Sequence, residues 1–123
     1  MAVTWIKKHE EKGSATLSNS YVVINKSFAD KFSNSFSAIL GVDDNNNLLL
    51  KPLSLDEAES PLYNDSMLLK INVFNSFVRL GNTASMKVIG DLLQVELSKK
   101  GTKFQTYWNE QENALVVETG GGH

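Results

Sequence analysis

Apolar residues fall in a similar order twice along this chain. The first run opens with Tyr21-Val22-Val23-Ile24, a β-branched and aromatic stretch that predicts a strand. Asn25 is placed to cap a helix carrying Phe28 and Phe32 four apart on one face. That helix is only about two turns long, so tertiary contacts must hold it. Phe36, Ala38, Leu40 and Val42 then alternate with residues such as Ser37 and Gly41, the period of a half-buried strand. Asp43 to Asn47 predicts a reversal into Leu48-Leu49-Leu50, since Asn and Asp tolerate left-handed backbone and bond their own main chain. From Phe77-Val78-Arg79-Leu80-Gly81 the order returns. Asn82 or Thr83 can cap a helix with Met86, Ile89 and Leu93 on one apolar line and Val88, Leu92 and Val95 on another. This second helix is expected to be wider and more buried than the first. Lys99-Lys100-Gly101 marks a turn, and a final hairpin runs from Phe104 to Val117.

The ends of the two runs align without a gap, Val42 to Leu50 on Trp108 to Val116, which sets Asn47 on Asn113 and Leu49 on Leu115. Tyr21 to Val42 spans 21 residues and Phe77 to Trp108 spans 31, an insertion of 10 in the second unit, most of it expected around Glu96 to Thr102. A duplicated small unit implies two halves that pair to bury one shared core, because neither alone removes enough apolar surface from water. Two ordinary hairpins that coincide by chance are the alternative. Between the halves, Ser54-Leu55-Asp56-Glu57 has capping-box spacing and predicts a short helix stopped before Pro61. Met67 to Phe74 reads as a strand, with Leu69, Ile71 and Val73 on one face and Lys70 and Asn72 on the other. The expected layout is one domain over 1–123: repeat one at about 14–53, a linker helix at 54–60, repeat two at about 66–118, and a flexible tail at 119–123.

Composition narrows the chemistry. A chain of 123 residues with 41% hydrophobic content suits one core. The net charge of -2 gives no overall basic field, so attraction to nucleic acid would need a local patch. Arg79 is the only arginine among the 12 basic residues. With no cysteine there are no disulfides, thiolate chemistry or Cys-based zinc sites. The leader Met1 to His9 lacks the apolar stretch of a secretory signal and no run of about 18 apolar residues occurs, so a cytoplasmic protein outside the membrane is expected. His9 and His123 are the only histidines, one in a charged leader and one terminal. Neither sits in a pattern that pairs a base with a nucleophile. Asp43, Asp44, Glu110 and Glu112 cluster at corresponding turns but lack EF-hand ligand spacing. Gly81 and Gly90 stand alone, outside any phosphate loop. No catalytic residue, cofactor or metal is therefore expected, and the chain is not read as an enzyme.

The stretch Tyr21-Val22-Val23-Ile24-Asn25, Phe28, Phe32, Phe36, Gly41-Val42-Asp43, Leu48-Leu49-Leu50-Lys51-Pro52 and Asp56-Glu57 resembles the MraZ and AbrB family of transcription factors, most clearly over residues 20–57. The resemblance implies a mainly β fold with short helices, in which two tandem strand–helix–hairpin repeats form a swapped-hairpin barrel. It also implies an oligomeric regulator that binds double-stranded DNA through basic residues near the repeat helices, here Lys26, Lys31, Arg79 and Lys87. Lys99, Lys100 and Lys103 near the inserted turn, with Lys7 and Lys8 as an arm, are further candidates. At the places of the family's DNA-contacting arginines stand Tyr21 and Phe77, and Asn25 and Gly81 replace its prolines. The alternative expectation is a non-enzymatic protein-interaction module that keeps the barrel without DNA binding and uses aromatics such as Trp5, Tyr63 or Tyr107.

Overall fold

The computed structural model describes residues 13–63 and 68–120. It is mainly β, with eight strands and three short helices: β1 (Ser14–Leu17), β2 (Val22–Asn25), α1 (Lys26–Ser33), β3 (Ser37–Val42), β4 (Leu48–Leu53), α2 (Leu55–Ala58), β5 (Ile71–Val73), β6 (Phe77–Leu80), α3 (Thr83–Leu93), β7 (Thr102–Asn109) and β8 (Ala114–Val117). The strands form one antiparallel sheet in the order β3-β4-β8-β7-β1-β2-β6-β5. Its two ends nearly meet. Just before β5, Leu69 exchanges backbone hydrogen bonds of 2.8 and 3.0 Å with Ala38 of β3, so the sheet curls into a nearly closed barrel. No helix among the described residues is long and apolar enough to cross a membrane.

Strand residues of period two fill the barrel. Ala15 and Leu17, Val22 and Ile24, Leu48 and Leu50, and Val78 and Leu80 all point inward and are buried. With eight strands the interior is just wide enough for such side chains to occupy it. The helices contribute the rest of the core: Ala29 and Phe32 from α1, and Met86, Ile89 and Leu93 from α3. α1 leaves β2 at Asn25 and α3 follows β6 after Leu80. Because β2 and β6 run antiparallel, the two helices start from opposite ends of the barrel.

Caps follow local chemistry. The Asn82 side chain accepts from Ser85 N at 2.9 Å and starts α3. Asn25 occupies the equivalent position of α1 without capping it, since its amide instead donates to Ser14 Oγ at 2.9 Å. α2 has a full capping box, with Glu57 N donating to Ser54 Oγ and Ser54 N donating to the Glu57 carboxylate. That backbone N–H holds the Glu57 carboxyl below its ordinary pKa, with the Ser54 hydroxyl and Lys51 acting in the same sense.

Several expectations need correction. β1 was not anticipated, yet it lies between β2 and β7 and pairs with both. β5 is only three residues, Ile71–Val73, rather than the strand expected over Met67 to Phe74, of which Met67 lies outside the described residues. Phe36 precedes β3 and is 57% exposed, so the apolar alternation there does not define a buried face. Of the second apolar line, Val88 and Leu92 lie outside the core, 57% and 61% exposed, while Val95, just past the end of α3, packs against it. Thr119, assigned in the sequence to a flexible tail, is buried, and its hydroxyl accepts from Leu48 N and donates to Asn46 O. Gly120 N also donates to Asn47 Oδ1 at 2.8 Å. Residues 121–123 lie outside the described residues.

Candidate functional site

The chemically most distinctive surface lies on the outer face of β6 and its neighbours. Val78 and Leu80 are buried, so the pleat turns Phe77 and Arg79 to the other face. Arg79 is flanked across the ladder by Val23 of β2 and Asn72 of β5. Its guanidinium carbon sits 4.3 Å from the Tyr21 ring centroid and 5.1 Å from that of Phe74. Phe74 in turn stacks on Phe77, with centroids 4.6 Å apart and planes 15° from parallel.

Local turns set these positions. Tyr21 N donates to Ser18 Oγ at 3.1 Å while Ser18 N donates to Tyr21 O at 3.0 Å, which fixes the entry into β2. Phe74 N donates to Phe77 O at 2.9 Å, closing the β5–β6 turn and bringing the two rings together. The result is a planar cation beside two exposed aromatic rings. Aromatic faces attract a guanidinium through their quadrupole and shield it from water. Among the described residues, Arg79 Nε is buried without a hydrogen-bond partner, an unfavourable state for a polar atom. What such an arrangement offers a ligand is a pre-oriented donor group framed by apolar surface.

The expected basic residues sit on separate elements. Lys26 is the first residue of α1, and its side chain lies outside the described residues. Lys31 is exposed later on α1, with Nζ 4.9 Å from the Trp108 ring centroid. Lys87 is exposed on α3, the helix that starts from the other end of the barrel. Arg79 lies on the outer face of β6. Lys99, Lys100 and Lys103 are exposed around the α3–β7 connection. Trp5, Lys7, Lys8, His9 and His123 lie outside the described residues. Tyr63 is half-buried and Tyr107 exposed, neither of them in the Arg79 cluster.

The acidic turns are structural in their visible bonds. Asp43 Oδ1 accepts from Asn45 N at 2.8 Å and from Asn47 N at 2.9 Å, and Asn109 Oδ1 accepts from Glu112 N at 3.0 Å in the other hairpin. Among the described residues no three His, Cys, Asp or Glu groups converge on a metal-sized site. The sandwich around Arg79 escaped sequence reasoning because Tyr21 and Phe74 come from separate turns. Its available signal was the alternation of Phe77 and Arg79 on one side of a strand whose other side is apolar. No family model, curated protein or solved structure matches the chain.

Proposed function

We propose that this chain is a non-enzymatic interaction module of the cytoplasm, whose β5–β6–β2 face docks a protein partner through Arg79 framed by Tyr21 and Phe74. The carrying observation is that sandwich: aromatic and arginine side chains dominate the energetics of protein interfaces, and here they meet on one exposed face. The free edge of the guanidinium would take a carboxylate or a main-chain carbonyl of the partner, with the Phe74 and Tyr21 rings excluding water around it. A photo-reactive residue at position 74 tests this. The expected result is a discrete protein adduct that disappears with Arg79→Ala and persists with Lys87→Ala. Loss of the adduct with neither substitution, or with both equally, overturns the reading.

The fold that carries this face is, in the same proposal, a swapped-hairpin barrel of two sibling units, β1-β2-α1-β3-β4 and β5-β6-α3-β7-β8. Strand registers support it. Val22 pairs with Leu80 and Ile24 with Val78 about a central Val23–Arg79 pair; with Tyr21 matched to Phe77, exchanging the units returns the same pairs. Leu49 pairs with Val116 and Leu50 with Leu115, a set that also maps onto itself when Asn47 is matched to Asn113.

A DNA-binding regulator of the MraZ and AbrB type, acting as an oligomer, is the second reading. It is favoured by one observation: Tyr21, at a family arginine place, lies against Arg79, so the chain's only arginine occupies the neighbourhood of that missing contact. It predicts salt-sensitive duplex binding weakened on many sequences by Lys26→Ala, Lys31→Ala, Arg79→Ala or Lys87→Ala. Absence of a mobility shift at low salt and high micromolar protein removes it.

A further inference from the structure

Beside α3 the barrel surface is open. An apolar groove of about 440 Å³ runs between α3 and β3, lined by Leu40, Val42, Leu69, Ser85, Val88 and Leu92 among others. Val88 and Leu92 form the exposed line of α3, and Val42 faces them from the end of β3. Its volume falls in the range of sites that hold organic groups, and nothing among the described residues fills it.

At the other helix the equivalent place is filled. Asn25 and Asn82 hold the N-cap positions of α1 and α3, which makes Phe28 and Ser85 the third residue of each helix. The Phe28 ring lies so close to Gly13 that a Cβ there would collide with it and would sit 2.8 Å from Thr106 Oγ1. A benzyl group thus closes the cleft beside α1. Beside α3 the same helix position carries only the small Ser85, and Lys31 over Trp108 is replaced by Val88 and Val42. The groove is short of one aromatic ring.

The chain has a segment of that chemistry within reach. Val3-Thr4-Trp5-Ile6 is the apolar part of the leader, followed by Lys7-Lys8. The leader joins the described structure at Gly13, whose carbonyl accepts from Thr106 N at 3.1 Å. From there one ladder row runs through Thr106 and Val117, then Leu48, to Val42 at the groove. Those four strand spacings come to roughly 19 Å. The eight residues from Trp5 to Gly13 reach about 26 Å when extended. Charge agrees with this placement, since Asp43 and Asp44 directly follow Val42, and Asp91 adjoins Leu92. Lys7 and Lys8 would meet acidic neighbours once Trp5 is seated.

We propose that residues 3–6 dock in the α3–β3 groove of their own chain, with the Trp5 ring against Val42, Val88 and Leu92 in the role Phe28 has beside α1. The test uses the full chain in two ways. In a Trp108→Phe background Trp5 is the sole indole, and its emission is expected to be blue-shifted and shielded from acrylamide. Leu92→Lys is expected to shift that emission to the red and raise the quenching constant two-fold or more, with an unchanged far-ultraviolet circular dichroism spectrum. Independently, the unsubstituted protein is expected to give nuclear Overhauser contacts from the Trp5 indole to the Val88 and Leu92 methyls. A solvent-like Trp5 emission indifferent to Leu92→Lys, or absence of those contacts, overturns the proposal. In a sample mixed from labelled and unlabelled chains, contacts seen only between chains assign the groove to a second copy and overturn it equally.

Discussion

Gly13 shows how one residue can decide a contact between distant elements. It has no side chain, and the Phe28 ring occupies the space where one would begin. Gly13→Ala forces either the ring or β1 to move, and overpacking of this kind costs about 1–3 kcal/mol. The expected outcome is a melting temperature lowered by several degrees, recovered in part by Phe28→Leu in the same chain. A Gly13→Ala variant as stable as the parent would mean that Phe28 has other room. Arg79 is the opposite case, a residue whose neighbours only tertiary structure reveals. Its place on the outer face of a strand was legible from Val78 and Leu80 on either side. Its aromatic partners were not, because Tyr21 is brought in by the pairing of β2 with β6 and Phe74 by the return of the β5–β6 turn.

Among the elements, α3 and α2 each carry a terminus that can be tested. α3 ends on Gln94 in the left-handed conformation at φ 56°, a position that glycine occupies without a Cβ penalty. Gln94→Gly is expected to raise stability by about 1 kcal/mol, read as a higher denaturant midpoint with unchanged slope. α2 responds to acid. The Glu57 carboxyl is held below its ordinary pKa by the Ser54 N–H, so its contribution is present above the unfolded-state value and is lost as pH falls through the folded one. Exchange of the α2 amides is therefore expected to quicken on acidification through the carboxylate range, relative to their intrinsic rates, and Glu57→Gln should flatten that dependence. Elements with strong periodicity or explicit caps were readable in advance: β2, β4, β6, the helices and the last hairpin. β1 was not, because Ser14 and Thr16 dilute its two inward residues, Ala15 and Leu17, below the level of a strand signal. Phe36 misled for the converse reason, since its place in an apolar alternation lies just before the pairing that would bury it. The outer line of α3 looked like core because nothing in a helical wheel says which of two apolar stripes meets the barrel.

At the scale of the molecule, the two halves of the chain are interleaved. β1 lies between β2 and β7, β2 pairs with β6, and β4 pairs with β8, so most of the core is shared between distant segments. Neither residues 13–63 nor residues 68–120 alone retain a complete set of strand neighbours. Each half expressed separately is expected to stay unfolded by circular dichroism, and an equimolar mixture to regain cooperative melting. A half that melts cooperatively on its own would contradict the shared core.

The circle of strands is fastened by ladders of three to six pairs everywhere except between Ala38 and Leu69, where a single bridge spans the gap. That seam is where the cylinder should breathe. Amide exchange at Ala38 and Leu69 ought to outpace that of Leu17, Ile24 or Leu50 by orders of magnitude. Since Leu69 also borders the groove beside α3, whatever occupies the groove would double as a stitch across the seam and slow its opening.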